Sequence, residues 1–440
     1  MRISYLLLLT PVLAAAAEPV QLSLKRAVDV AISPEGSARI QLADEAVKQA
    51  QARALEQRAD LLPNVDAAFN DQSRTENLAA LGFNSSLFKE FPIPGFPTFV
   101  GPFTTVDARI TGTQNIVDFS ILRRYQASKG AVTAARADSD TTQEQVASQV
   151  ARAYLAAVKG DAEVETAQAN VTLSEALLKQ AENEKEAGTG TGIEITRARV
   201  QLANDRQQLL VAQNSRHSAH LQLLRAINMR LDTELQLTDK LQYIPVDTLT
   251  LEAAKAQAMK ERPDLRAQQD RETNARLTAS ATRLERLPSL AAFGDYGDIG
   301  TSLTTSVPTR TIGIELRVPL FDGGRRDARR EESASQYRAE TVRTSDLKEQ
   351  IELDVRLALD SLQSADDQVK VAQDGLDLAN SELTQARRRY QAGVAVSVEV
   401  TDAQTRLERA RDNITSALYN YNLARLDLAQ AMGRVRAMVQ

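Results

Sequence analysis

The two histidines are the first residues of this chain to consider for chemistry. His217 and His220 stand three residues apart on a helical stretch, and that spacing could supply two ligands to a metal ion. The chain contains no cysteine, and no group of acidic residues completes a site around the pair. The pattern therefore predicts an ordinary surface pair, and we expect neither a metal nor a cofactor.

Two other patterns are known from chemical sites but stand in the wrong context here. Gly188, Gly190 and Gly192 have the spacing of a phosphate-binding loop, but no strand precedes them, so a turn between helices explains them better. Ser345 and Lys348 form a Ser-x-x-Lys pattern inside a long helical stretch, without the companion motifs of the enzymes that use it. The sequence therefore predicts a protein that is not an enzyme.

The sequence is duplicated, with an offset of 205 residues from Gly188 to Gly393, which we expect at the turns of two hairpins. Identical residues follow in both copies: Glu194 and Glu399, Thr196 and Thr401, Ala198 and Ala403, Leu202 and Leu407, and Arg206 and Arg411. This period is far longer than that of a solenoid. We expect two structural repeats, residues 18–245 and 246–440, each forming half of one pseudo-symmetric body.

The N-terminus predicts export. Met1 and Arg2 are followed by the apolar run Leu6–Leu9 and by Ala15–Ala17, which is the layout of a cleaved signal peptide over residues 1–17. No later stretch has the roughly 20 apolar residues of a membrane-spanning helix. The net charge of −5 and the lack of a basic cluster argue against nucleic acid as a partner.

Long helices dominate the rest of the chain. No proline occurs between Pro102 and Pro245 or after Pro319, and Ala, Gln, Leu, Arg and Glu are abundant. A glycine turn interrupts each proline-free region, so we expect two antiparallel coiled-coil hairpins, at about 119–231 and 325–432. Hairpins of this length are typical of a spacer or a tube wall.

Four short segments alternate apolar and polar residues, as strands with one apolar face do. They lie at about 63–72, 105–116, 289–297 and 309–319. The predicted fold class is mostly α with a small β part, and each repeat has the order helix, strand, strand, long helical hairpin. The strands suit either a sheet over a core or the wall of a membrane barrel. Because four strands cannot close a barrel, the barrel interpretation requires subunits to share one.

The order of these elements, together with several strings, resembles the TolC-like outer membrane efflux protein family, the outer membrane factors. The matching strings are Arg262-Pro263-Asp264, Leu287-Pro288-Ser289, Val318-Pro319-Leu320-Phe321-Asp322-Gly323-Gly324 and Tyr390-Gln391-Ala392-Gly393. The resemblance covers essentially the whole mature chain. It implies a homotrimer in which twelve strands form an outer membrane β-barrel and twelve helices continue it as a periplasmic tunnel.

The resemblance also implies a function. Such a channel-tunnel is the passive exit duct for small molecules or proteins in a tripartite efflux or type I secretion system. Its partners are outer membrane lipid, a periplasmic adaptor protein and an inner-membrane transporter. The alternative is a soluble periplasmic coiled-coil adaptor or scaffold, whose helices would look alike but whose strands would not face lipid.

Carried over by position, the family's tunnel constriction falls on Glu399 and Asp402. Three subunits would gather six carboxylates around one opening, and such a ring favours cations. Glu194 is the corresponding residue of the first repeat, and Tyr390 matches a tyrosine that helps to close the hairpin tips in the family. The basic residue often found two positions after the glycine is Ala395 here. The alternative role of Glu399 and Asp402 is structural, because an acid in the first turn stabilises a helix.

One segment is unusual in composition. Residues 83–103 hold six of the ten phenylalanines together with four prolines. If the hairpins point into the periplasm, this segment faces the outside of the cell. Because prolines keep it from extending the strands, we expect a packed plug over the barrel mouth, with a receptor or phage contact as the alternative.

Overall fold

The computed structural model describes residues 20–80, 97, 99–246 and 249–439. In chain order, the elements of this part are β1 (Val20–Leu22), α1 (Leu24–Ile32), α2 (Ala38–Ala59), β2 (Asn64–Asn77), β3 (Phe99–Val117), α3 (Phe119–Glu186), α4 (Gly192–Ala226), β4 (Leu235–Leu237), α5 (Leu251–Glu261), α6 (Pro263–Leu284), β5 (Ser289–Gly300), β6 (Val307–Arg317), α7 (Arg325–Gln391), α8 (Ser397–Ala431) and α9 (Val435–Val439).

The order of elements is the same in the two halves of the chain. A helix, two strands and a long helical hairpin run from α2 to α4 and again from α6 to α8, so the fold is mostly α with a small β part, as predicted. The first hairpin ends at Ala226 rather than near residue 231, because Asn228 takes a left-handed backbone conformation that stops the helix. The predicted signal peptide at 1–17 and most of the segment 83–103 lie outside the described residues.

The chain divides into two compact units, and neither coincides with a sequence repeat. The first unit contains the chain up to Glu45 together with Ala137–Arg266 and Asp346 onward, and the second contains Ala46–Arg136 and Ala267–Ser345. Each unit thus takes segments from both halves of the sequence. The second unit holds a four-stranded sheet, and the first holds the hairpin tips and the cores built by the hairpins.

The sheet of the second unit is antiparallel, with the strand order β2-β3-β5-β6. Its first two strands are longer than predicted, because backbone pairing continues as far as Asn77 with Phe99. Phe99 and Phe103, which their composition placed in a loop, are therefore strand residues. β6 ends at Arg317 instead of 319, where Pro319 has no N–H to donate.

The pairing register divides the sheet into an apolar and a polar face. The side chains in the middle of the apolar face are all more than half exposed: Val65, Phe69, Ile110, Tyr296, Ile312, Ile314 and Leu316. On the polar face, Arg109 pairs with Asp107 at 3.2 Å and with Asp295. Within the described ranges, no helix combines the length and the apolar composition needed to cross a lipid bilayer.

An aspartate lies just before the first helix of each long hairpin. The Asp118 carboxylate accepts hydrogen bonds from the backbone N–H groups of Ser120 (2.8 Å) and Ile121 (3.2 Å) at the start of α3. The Asp322 carboxylate accepts one from the N–H of Arg326 (3.2 Å) in the first turn of α7. Such contacts satisfy N–H groups that have no partner inside the helix. Asp118 and Asp322 therefore stabilise the starts of α3 and α7.

The largest core of the first unit is built around Tyr154 on α3. The ring is fully buried, and the hydroxyl lies 3.0 Å from the carbonyl oxygen of Leu22 and 2.8 Å from the carboxylate of Asp239. Burial and then the Asp239 carboxylate raise the pKa of Tyr154, so the hydroxyl stays protonated as a donor. Parallel pairing of β1 with β4 ties the start of the described chain to the segment after the first hairpin.

Candidate functional site

The two hairpin tips have the same kind of turn. α3 is followed by Gly188 with a φ of 78°, and α7 is followed by Gly393 with a φ of 72°. Beyond each glycine the chain bonds back to the helix end: the N–H of Thr189 donates to the carbonyl of Glu184 (2.9 Å), and the N–H of Val394 donates to that of Arg389 (3.0 Å). This is a common glycine ending of helices, because only glycine takes a positive φ without a penalty.

Glu194 caps its own helix at the first tip. α4 begins at Gly192, and the Glu194 carboxylate accepts a hydrogen bond from the backbone N–H of Thr191, 2.8 Å away. A carboxylate at this position satisfies a donor that the helix itself leaves open. Glu194 therefore has a structural role at the start of α4, the kind of role that was the alternative for Glu399 and Asp402.

The two acids of the second tip lie one helical turn apart at the start of α8. Glu399 Oε1 pairs with Arg389 Nε at 2.8 Å, across the turn from the end of α7. Asp402 is exposed, and its carboxylate forms no hydrogen bond or ion pair with any described residue. The structure thus brings the two predicted constriction residues to one tip. Of these two, Glu399 is paired with a guanidinium group and Asp402 is not.

Tyr390 joins the two hairpins. Its hydroxyl donates a hydrogen bond to Oε2 of Glu184 in the last turn of α3, and its ring packs against an apolar cluster that includes Leu383 and Val400. Burial raises the pKa of Tyr390, and the carboxylates of Glu184 and then Glu194 raise it further, so the hydroxyl remains a donor. The predicted tip tyrosine therefore bonds to a neighbour that the sequence analysis did not name.

Glu184 is one of the tip residues that sequence reasoning missed, and Arg389 is another. The Glu184 carboxylate also accepts from the Gln180 amide (2.9 Å), and the Glu184 carbonyl oxygen accepts from the N–H of Thr189 (2.9 Å), so Glu184 orders the first tip. A signal was available in the duplication. With the offset of 205, Glu184 corresponds to Arg389, directly beside Tyr390, so the two tips present opposite charges at equivalent positions.

Buried polar side chains link α3, α4 and α8 farther from the tips. The Gln404 amide donates to the hydroxyl of Ser174 (2.7 Å), and that hydroxyl donates to the carboxylate of Asp205. All three side chains are almost fully buried. A buried network in which each member is bonded holds helices in one arrangement. Its signal in the sequence is a polar residue, Gln404, inside the apolar pattern of Val400 and Leu407.

Glu408 lies beside this network, in a groove of about 540 Å³ lined by residues of α3, α4 and α8. The Gln404 amide donates to its carboxylate at 3.0 Å. Burial, followed by the negative charges of Asp205 and Asp412, raises the pKa of Glu408 to about 7, although Gln404 and Arg411 oppose the shift. Glu408 therefore changes its ionisation near neutral pH.

We expect the stability of the protein to depend on the ionisation of Glu408. The folded state holds its pKa above the ordinary value of 4.5, so its stabilising contribution is complete below pH 4.5 and is lost as the pH rises to about 7. Glu408→Gln should raise the free energy of unfolding above pH 7 by about 1–2 kcal/mol, with solvent screening allowed for. Near pH 4.5 it should change little.

Thermal unfolding of the two proteins at pH 5 and pH 8 measures this difference. Asp402→Asn, which changes an exposed carboxylate on the same helix, is the matched control. Equal effects of Glu408→Gln at the two pH values would contradict the expectation.

The histidines lie apart from the tips. His217 is exposed, but His220 is mostly buried, with its Nε2 3.1 Å from a carboxylate oxygen of Asp161 on α3. The prediction of a surface pair therefore holds only for His217, because the packing of α4 on α3 covers the other ring. Ser345 and Lys348 are exposed on α7. Among the described residues, no three His, Cys, Asp or Glu side chains form a group that could hold a metal ion.

A family model described as outer membrane efflux protein matches residues 35–229 and 255–434 of this chain. The chain belongs to the outer membrane efflux protein family. The two matched ranges include both hairpin tips and all four strands of the larger sheet.

Two relatives and one solved structure each match more than two thirds of this chain. The pyoverdine export outer membrane protein OpmQ of Pseudomonas putida is 26% identical over 396 residues, which are 88% of this chain and 81% of OpmQ. The outer membrane protein TolC of Vibrio cholerae is 25% identical over 310 residues, 68% of this chain and 70% of TolC. The crystal structure of the Campylobacter jejuni CmeC outer membrane channel is 17% identical, with a TM-score of 0.78 over 93% of this chain and 85% of CmeC, and shows the same fold.

Membership of the outer membrane efflux protein family confirms three predictions. The first is the resemblance itself, the second is the outer membrane location, and the third is the function of an exit channel for efflux or secretion. The family consists of channels rather than enzymes. The assignment favours the exit channel over the soluble adaptor or scaffold.

Proposed function

We propose that this outer membrane efflux protein is a homotrimer, with four strands per subunit in one twelve-stranded barrel and four helices per subunit in a periplasmic tunnel. It acts as the passive exit duct of a tripartite efflux or type I secretion system. A periplasmic adaptor protein and an inner-membrane transporter deliver the cargo and the energy. We assign it no catalytic residue and no cofactor.

The observation that carries this proposal is the open apolar face of the four-stranded sheet. Ile312 and Ile314 on this face are 83% and 69% exposed, and the other large apolar side chains in the middle of the face are also more than half exposed. A soluble sheet would bury such a face against a core, whereas the wall of a membrane barrel presents it to lipid. The charged ladder of Arg109, Asp107 and Asp295 on the opposite face suits a water-filled interior.

The edges of the sheet support assembly from several copies. Within the described residues, β2 and β6 each pair with only one other strand. Unpaired backbone N–H and C=O groups cannot stay open in lipid, so each edge needs a partner strand. We propose that β6 of one copy pairs with β2 of the next until the barrel closes.

The second hairpin tips form the proposed constriction. Glu399 and Asp402 supply its carboxylates, and Tyr390 and Glu194 help to hold the tips closed, Tyr390 through its bond to Glu184. A ring of carboxylates attracts cations and repels anions. OpmQ is named for pyoverdine export, and this supports a cargo similar to pyoverdine for this chain. Secreted proteins are the second candidate.

The experiment that tests this proposal replaces both constriction acids. In planar bilayers, Glu399→Ala combined with Asp402→Ala should lower the cation-over-anion permeability ratio by about threefold or more and weaken block by divalent cations. Asp374→Ala is the control, because it removes an exposed acid of α7 several turns before the tip. Mass measurement in mild detergent should give a trimer for all three proteins.

Two outcomes would contradict the proposal. An unchanged permeability ratio would show that the two acids only stabilise the start of α8. A stable monomer in mild detergent would exclude the shared barrel.

A further inference from the structure

The ion pair between Arg389 and Glu399 spans the turn of the second hairpin. Arg389 stands in the last turn of α7 and Glu399 in the first turn of α8, with Nε and Oε1 2.8 Å apart. The two side chains are 56% and 40% exposed. The turn already holds their backbones close together, so forming the pair costs little conformational entropy. Exposure to water weakens the attraction between the two charges.

The first hairpin shows that this pairing depends on the arginine. At the position equivalent to Arg389 it has Glu184, and at the position equivalent to Glu399 it has Glu194. Two carboxylates repel each other, and each of them has a different partner: Glu194 accepts from the N–H of Thr191, and Glu184 accepts from a tyrosine of the other hairpin. The acid at the start of the second helix therefore has a different role in each hairpin. Beside Glu184 in the first hairpin it caps its helix, and beside Arg389 in the second it forms an ion pair.

The pairing changes the charge that the second tip presents. Glu399 is matched by a guanidinium group, whereas the exposed carboxylate of Asp402 has no charged partner among the described residues. In a ring of three tips, half of the carboxylates would be neutralised and the other half would not. A ring with fewer uncompensated charges attracts cations less strongly.

We propose that Arg389 is a selectivity-determining residue of the duct. It neutralises and positions Glu399, and it leaves Asp402 to carry most of the preference for cations. This inference rests on the proposed constriction at the second tips. Arg389 itself is not one of the acids, or the tyrosine, assigned to that constriction.

The test measures reversal potentials of the purified full-length protein in planar bilayers under a KCl gradient. Arg389→Gln should raise the cation-over-anion permeability ratio by about threefold, the effect of one unit charge at roughly 6 Å in water. Glu399→Gln should lower the ratio, because it leaves the guanidinium unpaired. The double variant Arg389→Gln/Glu399→Gln should return the ratio close to the original value.

Two further variants decide between this inference and its alternatives. Arg388→Gln removes the same charge from the adjacent, exposed residue of the same turn and should change the ratio less than Arg389→Gln does. Equal effects of the two substitutions would overturn the inference, since the cause would then be general surface charge. Asp402→Asn should lower the ratio more than any other single change.

The outcomes separate this inference from the proposal on which it depends. If Asp402→Asn lowers the ratio but Arg389→Gln leaves it unchanged, the constriction stands and the role of Arg389 is wrong. If no substitution among Arg389, Glu399 and Asp402 changes the ratio, both are wrong. Recovery of each variant as the same oligomer in mild detergent shows that the comparison is made between folded channels.

Discussion

Ile314→Arg should prevent most of the protein from assembling in the outer membrane. Ile314 is 69% exposed on the apolar face of the sheet, opposite Ala292 of β5. A charged side chain on the lipid face of a barrel costs about 2–4 kcal/mol near the middle of the bilayer. In a trimer the cost applies to each of the three copies, which is comparable to the whole stability of many proteins.

The same charge on the opposite face is the matched control. Thr311 lies three residues earlier on β6, on the polar face and opposite Asp295. Thr311→Arg should therefore be tolerated, because its guanidinium would meet the Asp295 carboxylate in the water-filled interior of the proposed barrel. Membrane fractionation followed by electrophoresis without heating measures the amount of folded trimer. Equal yields of the two variants would show that the apolar face does not contact lipid.

Tyr390→Phe should shift the duct toward its open form. The substitution removes the hydrogen bond from the tyrosine hydroxyl to the Glu184 carboxylate, which joins the two hairpins near their tips. A hydrogen bond to a charged group contributes about 1.5–3 kcal/mol, so its loss in each copy changes the balance of closed and open forms by about tenfold or more. The ring still fits its apolar surroundings, so folding should be retained.

Single-channel conductance is the appropriate measurement, because it reports the width of the narrowest point. Conductance should rise in Tyr390→Phe and in Glu184→Gln, whereas the permeability ratio should change little, since the carboxylates of the second tip remain. Tyr419→Phe removes a hydroxyl from another tyrosine of the second hairpin, whose ring contacts Lys159, and should leave conductance unchanged. A conductance in Tyr390→Phe equal to that of the unaltered protein would show that this bond does not close the duct.

Much of the architecture was predictable because its signals are local. The long proline-free runs, the turns at Gly188 and Gly393, and the alternating strand segments each depend on the conformational preferences of neighbouring residues. The family followed from the order of these elements and from their duplication. The strand ends were less well predicted, because Phe99 and Phe103 join β3 through pairing with β2, and composition alone does not reveal such pairing.

The residues at the tips were predictable, but their partners were not. Position after a glycine turn places Glu194, Glu399 and Asp402 at helix starts in any fold with these hairpins. Which group each acid contacts depends on the side chains that packing brings beside it.

The amino-acid sequence by itself determined that this chain has two long hairpins with acids at their tips and a sheet with one apolar face. Only the tertiary structure decided that Glu399 is matched by Arg389, and that Tyr390 is bonded to Glu184, 206 residues away. The physical reason is the distance along the chain over which each kind of interaction acts. Backbone conformation responds to the nearest neighbours in the chain, whereas a carboxylate or a hydroxyl bonds to whatever donor or acceptor the packed helices bring within about 3 Å.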